Sequence, residues 1–433
     1  MSFLKIVGFD PAKHNVKTEI VAGITTFHTM ASILAVNPDI FSALEEMGMP
    51  KGAVFTATAL AAIVGTLVMS IYAKKPYALA PGLGLNAFFV YTVCLTMGYS
   101  WQFALTAVLI EGIIFIILTV TNVREAIINA IPKSMKSAVS AGIGLFIAFI
   151  GLVNAGIIVD DGGTIINLGT ITSGPALLAI VGLVITSVMM ILKVPGAMLI
   201  GIIVTAIIGI PFGITKFDGV VSAVPSVAPI FCKFEFHNIL TWDMIIVVFT
   251  FLFIDMFDTI GTVIGVSKKA NAMNPDGTIP GVKKVLMADA VATVWGAICG
   301  TSTTTTYVES ASGVAEGGRT GLTSFTVAIC FAIALFFAPV FLAIPSAATA
   351  PALILVGVMM MSSILDVDFN DFSECIPAYI CMIVMPLAYS ISDGIMLGLI
   401  SFVVLNALTG KFKKISVMMW ILAILFILRY ILL

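Results

Sequence analysis

Two carboxylates, Asp255 and Asp258, stand three residues apart in the run FTFLFIDMFDTIGT, Phe249 to Thr262. Eleven uncharged residues precede them, back to Asp243, and nine follow, up to Lys268. On a helix, residues three apart lie on nearly the same face, so both acids share one environment. Glu111, Asp289 and Glu309 also fall deep in apolar segments, whereas Lys136 and Lys284 lie only near segment ends, as do Glu19, Asp243, Glu316, Glu374 and Asp393. Every deep charge is therefore acidic. A carboxylate in such surroundings is costly unless it is paired, coordinated or protonated. With no deep cation at hand, taking up a proton is the simplest relief, and groups that take up and release protons can couple proton movement to a cargo.

Two readings of the Asp255 and Asp258 pair follow. The acids bind a solute and handle protons, or they act as capping partners for the threonines of GTSTTTTYVES, Gly300 to Ser310. Ionisable groups inside a membrane are functional by default, which favours the first. Glu309 is read in the same way. Glu111 and Asp289 lie in otherwise regular segments, where hydrogen bonding between helices is at least as good an account, and Asp289 reads as a structural clasp beside the site.

The elements that must position these acids follow from composition. The 433 residues are 60% hydrophobic and only 10% charged, against roughly 25% charged in an ordinary soluble domain. The chain is a lipid bilayer protein. Its first fifteen residues are too polar for the apolar core of a signal peptide, so insertion is expected through the first span. A net charge of −2 without a basic tract excludes nucleic acid as an expected partner. The six cysteines show no paired CxxC spacing and only His28 of three histidines falls in a span, so no disulfide framework, metal site or cofactor is expected.

Apolar segments of spanning length are read near 18–38, 52–72, 77–97, 102–122, 134–158, 173–192 and 195–212, and then near 242–266, 284–299, 301–317, 320–343, 348–364, 373–390 and 392–409. The fold class is an all-α polytopic membrane protein of fourteen spans in two halves of seven. Residues 417–433, beyond Lys411, Lys413 and Lys414, form either a terminal interfacial helix or a further span. Lys74, Lys75, Arg124, Lys133, Lys136, Lys193, Lys268, Lys269, Lys283, Lys284 and the 411–414 cluster fall on one side of this layout, and Lys51, Lys216 and Lys233 on the other. The richer side is the cytoplasm, which places the N-terminus inside. The acidic connection with Asp366, Asp368, Asp371 and Glu374 falls on that side too, and acids count little in the rule.

Seven spans per half make the second half enter from the opposite side, the inverted repeat of many secondary transporters. Each half has one defective span at a matching place. The third has Pro81, Gly82 and Gly84 close together, and the tenth has four threonines in a row. Both are poor continuous helix, and irregular backbone at membrane depth survives only where protein or a water-filled cavity satisfies it. Small residues that merely let helices pack closely would explain the glycines alone; the matched pair of broken segments points to a binding site. A membrane-embedded enzyme would need a nucleophile with an activating base or a metal cluster, and no His or Lys stands beside the threonines. An anion carrier would want a cationic site.

The strings FHTMASILAVNPDI, APGLGLNAFFVYTV, FTFLFIDMFDTIGTVIGV and GTSTTTTYVESASGVAEGGRTGLT resemble the azaguanine-sensitivity branch of nucleobase permeases, the hypoxanthine/guanine/adenine transporters, over nearly the whole chain, from about Gly8 to Thr409. The resemblance implies a uracil-permease-like fold in which short strands of broken spans 3 and 10 meet at mid-membrane, each followed by a helix aimed at the ligand. It implies a core domain of spans 1–4 and 8–11 (residues 1–128 and 241–344) and a gate domain of spans 5–7 and 12–14 (residues 129–240 and 345–433). Asp255 and Glu309 would bind the purine with Asn86 nearby, and Tyr307 would stack on the base. His28 and Ser32 depart from the family pattern, which has an apolar and a larger aromatic residue there, and His28 enters the expected site as a tuner of purine preference or proton coupling. Proton coupling is expected at Asp258, Glu309 and Asp289. The implied activity is proton-coupled purine import across the cytoplasmic membrane, with xanthine or a pyrimidine as alternative cargo, and relatives of this fold are often dimers through the gate domain.

Overall fold

The structure is a computed structural model that describes residues 3–121, 132–217, 219–237, 239–270, 272, 274 and 279–432. Arg124 and the 128/129 domain boundary lie outside the described residues. Among those residues, nine helical stretches are long and apolar enough to cross a membrane, from Val16–Met47 to Ile391–Leu408, and four more apolar helices are shorter.

The first half runs α1 (Val16–Met30), α2 (Ile33–Phe41), α3 (Lys51–Val68), β1 (Leu79–Pro81), α4 (Leu83–Ala87, extended to Thr96 in π-helical form), α5 (Trp101–Thr121), α6 (Lys133–Asn154), the strands β2 (Ile158–Asp161) and β3 (Ile165–Leu168), α7 (Gly174–Ile191) and α8 (Ala197–Gly209). The second half runs α9 (Trp242–Lys269), α10 (Val282–Cys299), β4 (Thr304–Thr306), α11 (Ser310–Ala315), α12 (Gly321–Ala334), α13 (Ser346–Met361), α14 (Phe372–Leu387), α15 (Ile391–Leu408) and α16 (Val417–Leu432).

The two broken spans meet as expected. β1 pairs antiparallel with β4, Leu79 opposite Thr306 and Pro81 opposite Thr304. The ladder continues on both sides, with the Gly82 N–H donating to the Thr303 carbonyl at 3.0 Å and the Tyr307 N–H to the Ala78 carbonyl at 2.9 Å. Each strand thereby supplies the partner that the other lacks in hydrocarbon, and each runs straight into a helix, α4 or α11.

Two packed sets surround this crossing. One holds α1, α3, α5, α10 and α12, and the other holds α6, α7, α8, α13, α14 and α15. Within each set small residues set the spacing, the usual solution where apolar lipid removes the hydrophobic drive between helices. A Cβ on Gly144 of α6 would lie 2.8 Å from the Gly357 carbonyl of α13, and one on Gly357 would lie 2.4 Å from the Gly144 carbonyl. α1 is started by Asn15, whose side chain accepts from the N–H groups of Lys17 and Thr18.

Two features differ from the sequence reading, and a third lies where that reading left an interfacial helix or a further span open. The fifth span ends at Asn154, and the apolar residues after it enter the β2–β3 hairpin, whose turn is capped by the Asp161 carboxylate accepting from the Gly163 N–H at 2.7 Å. The first span does not stop near residue 38 but continues through α2 to Phe41 and a 3₁₀ turn. Residues 417–432 form a helix lying along α15, with Tyr430 donating to Asp393 at 2.7 Å and the Phe426 ring 5.5 Å from that of Phe249.

The acidic connection between α13 and α14 also finds its explanation. Lys133 pairs with Asp366 at 2.6 Å, Lys414 with Asp371 at 2.6 Å and with Glu374 at 2.8 Å, and Lys411 with Asp371 at 3.1 Å. Lys414, helped by Ser373 and Lys411, holds the Asp371 carboxyl well below the usual carboxylate range. Acidic and basic connections therefore share one face of the protein and neutralise each other.

Gly357→Leu should separate α6 from α13 and cost about 1–3 kcal/mol, the usual penalty of overpacking. A lowered unfolding temperature in detergent, with loss of the monodisperse peak, is the expected outcome; an unchanged midpoint would show that this close approach is not needed.

Candidate functional site

The strands bring their following helices to one crevice. Its walls are Ser32, Ile33 and Val36 of the first span, Leu83 at the start of α4, Tyr307 and Glu309 between β4 and α11, and Met198, Ala352 and Val356 from α8 and α13. The enclosed cavity is about 10 Å³, room for about one water molecule. A flat heterocycle enters only if the walls part.

Tyr307 is fixed at both ends. Its N–H is in the strand ladder, and its hydroxyl donates to the Pro81 carbonyl at 2.6 Å, leaving the ring as a rigid aromatic wall. The Glu309 backbone carbonyl accepts from Ser312 at 2.6 Å, and its side chain lines the crevice. His28, one turn before Ser32, has its ring against Gly196, just ahead of α8. A Cβ there would lie 2.6 Å from the ring Cε1, and Gly196 holds φ +71°, so no other residue fits easily.

The remaining acids hold the threonine strand. Asp289 accepts from the Thr306 N–H at 2.9 Å and the Thr306 hydroxyl at 3.0 Å. Glu111 accepts from Thr303 at 2.6 Å. Asn86 is fully buried and accepts from Ser302, so its side chain faces the tenth span. Asp255 is fully buried and lies 3.0 Å from the Thr259 hydroxyl, which is also 2.9 Å from Asp289 and 2.7 Å from the Thr305 hydroxyl. Asp258, on the same helix, is half-buried.

Of the residues expected from sequence, the structure brings Glu309 and Tyr307 together at the crevice, sets His28 against Gly196, two residues before the crevice residue Met198, and places Asp255, Asp289 and Asn86 around the strand pair. The sequence reading missed Thr259, although Asp255 and Thr259 stand at the i, i+4 spacing that joins side chains on a helix. It also missed Met198 and Asp39. Asp39 lay one residue beyond the apolar run read as the first span, and it is 4% exposed in the structure.

A many-spanning helical fold with a crevice at the crossing of two broken segments defines a secondary transporter. A family described as the permease family matches residues 17–397. The chain belongs to this permease family. Similar proteins include the putative permease MJ0326 of Methanocaldococcus jannaschii, 48% identical over 99% of this chain and 98% of that one. The guanine/hypoxanthine permease PbuG of Bacillus subtilis is 44% identical over 98% of each chain, and the adenine permease AdeQ of Escherichia coli is 40% identical over 96% and 93%. The same fold is seen in the transmembrane domain of a cyanobacterial bicarbonate transporter, BicA, with TM-score 0.65 and 16% identity over 89% of this chain and 98% of that one. It is also seen in the murine anion transporter Slc26a9, with TM-score 0.66 and 13% identity over 93% and 69%.

If Glu309 and Asp255 serve the crevice as acceptors, Glu309→Gln and Asp255→Asn should each insert normally yet weaken binding of the transported solute to the purified protein, at a cost of about 1–3 kcal/mol for a solute N–H left without its acceptor. Unchanged affinity in both variants would remove the two residues from the site.

Proposed function

We propose that the protein imports purine nucleobases, hypoxanthine, guanine or adenine, across the cytoplasmic membrane together with protons. Transport proceeds by movement of a core (residues 1–128 and 241–344) against a gate (residues 129–240 and 345–433). The observation that carries the reading is the composition of the crevice, where one fixed aromatic ring, Tyr307, and one carboxylate, Glu309, stand among apolar side chains and the Ser32 hydroxyl. A purine is flat, with N–H donors on its rim, and needs a π surface plus a few fixed acceptors. The names of the similar permeases support the same cargo. Ser32 and His28 flank the crevice and would bear on which purine is preferred.

The fold neighbours that carry anions suggest a second reading, but no Lys, Arg or His is among the crevice residues. A carboxylate there repels an anion.

Proton coupling draws support from the Thr259 cluster. A hydroxyl has one proton to donate, yet Thr259 lies within hydrogen-bonding reach of both Asp255 and Asp289. A proton on either carboxyl completes the set, so the cluster is suited to hold and pass one. In this scheme Asp255 turns to the base, and Asp258, Glu309 and Asp289 share the coupling. A cytoplasmic N-terminus follows from the lysine distribution and draws support from the ion pairs that gather on one face. A homodimer through the gate belongs to the proposal by analogy of fold alone.

Uptake of radiolabelled hypoxanthine into proteoliposomes should rise with an inward proton gradient and be competed by guanine and adenine. Asp258→Asn should keep binding but weaken gradient-driven accumulation. If this variant concentrates purine with the pH dependence of the wild type, Asp258 is outside the proton pathway; if bicarbonate competes and purines do not, the cargo is wrong.

A further inference from the structure

The first span carries two buried acids, and they have opposite kinds of partner. Glu19, near its start, accepts from the N–H groups of Arg319 and Thr320 at 3.1 and 3.2 Å and from the Thr323 hydroxyl at 2.5 Å. It thereby caps α12, which packs on α1 within the same set of helices. Asp39, near the other end of the span, reaches across the seam. It accepts from Ser346 at 2.7 Å and Thr349 at 2.5 Å, both in the first turn of α13. The Lys51 ammonium of α3 lies 3.7 Å from Asp39 on its own side of the seam.

That division matters for movement. The charge of Asp39 is balanced by Lys51, which would travel with it, so parting from α13 costs two hydrogen bonds from neutral hydroxyls and strands no bare carboxylate. A carboxylate at a helix start is also favourably placed against the helix dipole. Such a contact is strong enough to hold and cheap enough to release. A second neutral contact crosses near the same end, from the Asn154 amide of α6 to the Tyr91 hydroxyl at 3.0 Å.

Position completes the argument. Along the first span, His28, Ser32, Val36 and Asp39 recur at helical spacing on one face. His28 meets Gly196, Ser32 and Val36 line the crevice, and Asp39 meets α13. Along α13, Ser346 and Thr349 meet Asp39, and Ala352 and Val356 line the crevice. The crevice is thus closed at both ends by seam contacts, one a ring packed on a glycine and the other a polar latch.

We propose that Asp39 is a positioning residue for transport: with Ser346 and Thr349 as its catch, it latches shut the extracellular entrance of the substrate crevice and must release for cargo to enter from outside. This rests on the moving core and the membrane orientation proposed above, not on the identity of the cargo.

The test uses the full-length protein with Cys232 and Cys330 replaced by serine and with Ser32→Cys as a reporter in the crevice. In right-side-out vesicles, a membrane-impermeant maleimide should label the reporter several-fold faster when Ser346→Ala and Thr349→Val are added. Thr349→Ser, which keeps the hydroxyl, should label at the parent rate. Asp39→Asn should act in the same direction as the double variant. Labelling that stays at the parent rate in the well-folded double variant overturns the latch. So does a faster rate confined to inside-out vesicles, and so does a fall in thermal stability without any change in labelling. Failure of hypoxanthine uptake in the protein without the reporter, with the labelling response intact, would remove the cargo and leave the latch standing.

Discussion

Peptide groups at the middle of a membrane have no water to satisfy them, and the three-residue pairing of β1 with β4 answers that constraint. The rest of the architecture serves it. Thr293 donates to the Thr304 carbonyl at 3.1 Å, Asp289 takes the outward-facing groups of Thr306, and Glu111 takes Thr303. Gly296 has no side chain because the Thr304 hydroxyl lies 2.4 Å from where its Cβ would be. Acids that composition alone marks as anomalous are in large part the scaffold of a strand pair, and the crevice exists because that pair delivers Tyr307, Glu309 and Leu83 to one place.

Much of this was legible in the sequence, because the signals are physical. Pro81 with Gly82 and Gly84, and four consecutive threonines, are poor continuous helix, and one such break in each half pointed to the site, while the meeting of the two segments as strands came from the family resemblance. Composition gave the bilayer. What could not be read was pairing register and side-chain direction. Nothing in TSTTTT says which hydroxyl faces which acid, so Thr259 went unnoticed as the link between Asp255 and Asp289. Asn86 was expected near the ligand, and its orientation toward Ser302 depends on how two segments more than 200 residues apart dock. Asp39 escaped because span length was judged from apolar content. A charge at the end of an apolar run looks like the edge of the membrane unless its partners on another helix are known. The β2–β3 hairpin was hidden by the opposite effect, since the isoleucines that follow Asn154 extend the apolar run past the true helix end.

The two sets of helices are built differently inside and between. Inside each, glycines let backbones touch, as Gly144 and Gly357 do, and such contacts tolerate little displacement. Across the seam, apolar packing is joined by polar and aromatic contacts: hydroxyls on a carboxylate, an amide on a tyrosine hydroxyl, the Tyr91 ring on that of Tyr389, an imidazole on a glycine. In the proposed transport cycle, displacement would fall on exchangeable contacts of the second kind and not on the glycine-spaced interiors.

α16 has a consequence for how the protein is handled. It begins next to the Lys411 to Lys414 turn and ends with Tyr430 beside Asp393, at the far end of α15. Sixteen residues at 1.5 Å each cover about 24 Å, so the helix retraces the depth that α15 has just crossed. Truncation at the lysine turn would remove this helix and uncover the apolar surface of Phe249, on which Phe426 packs.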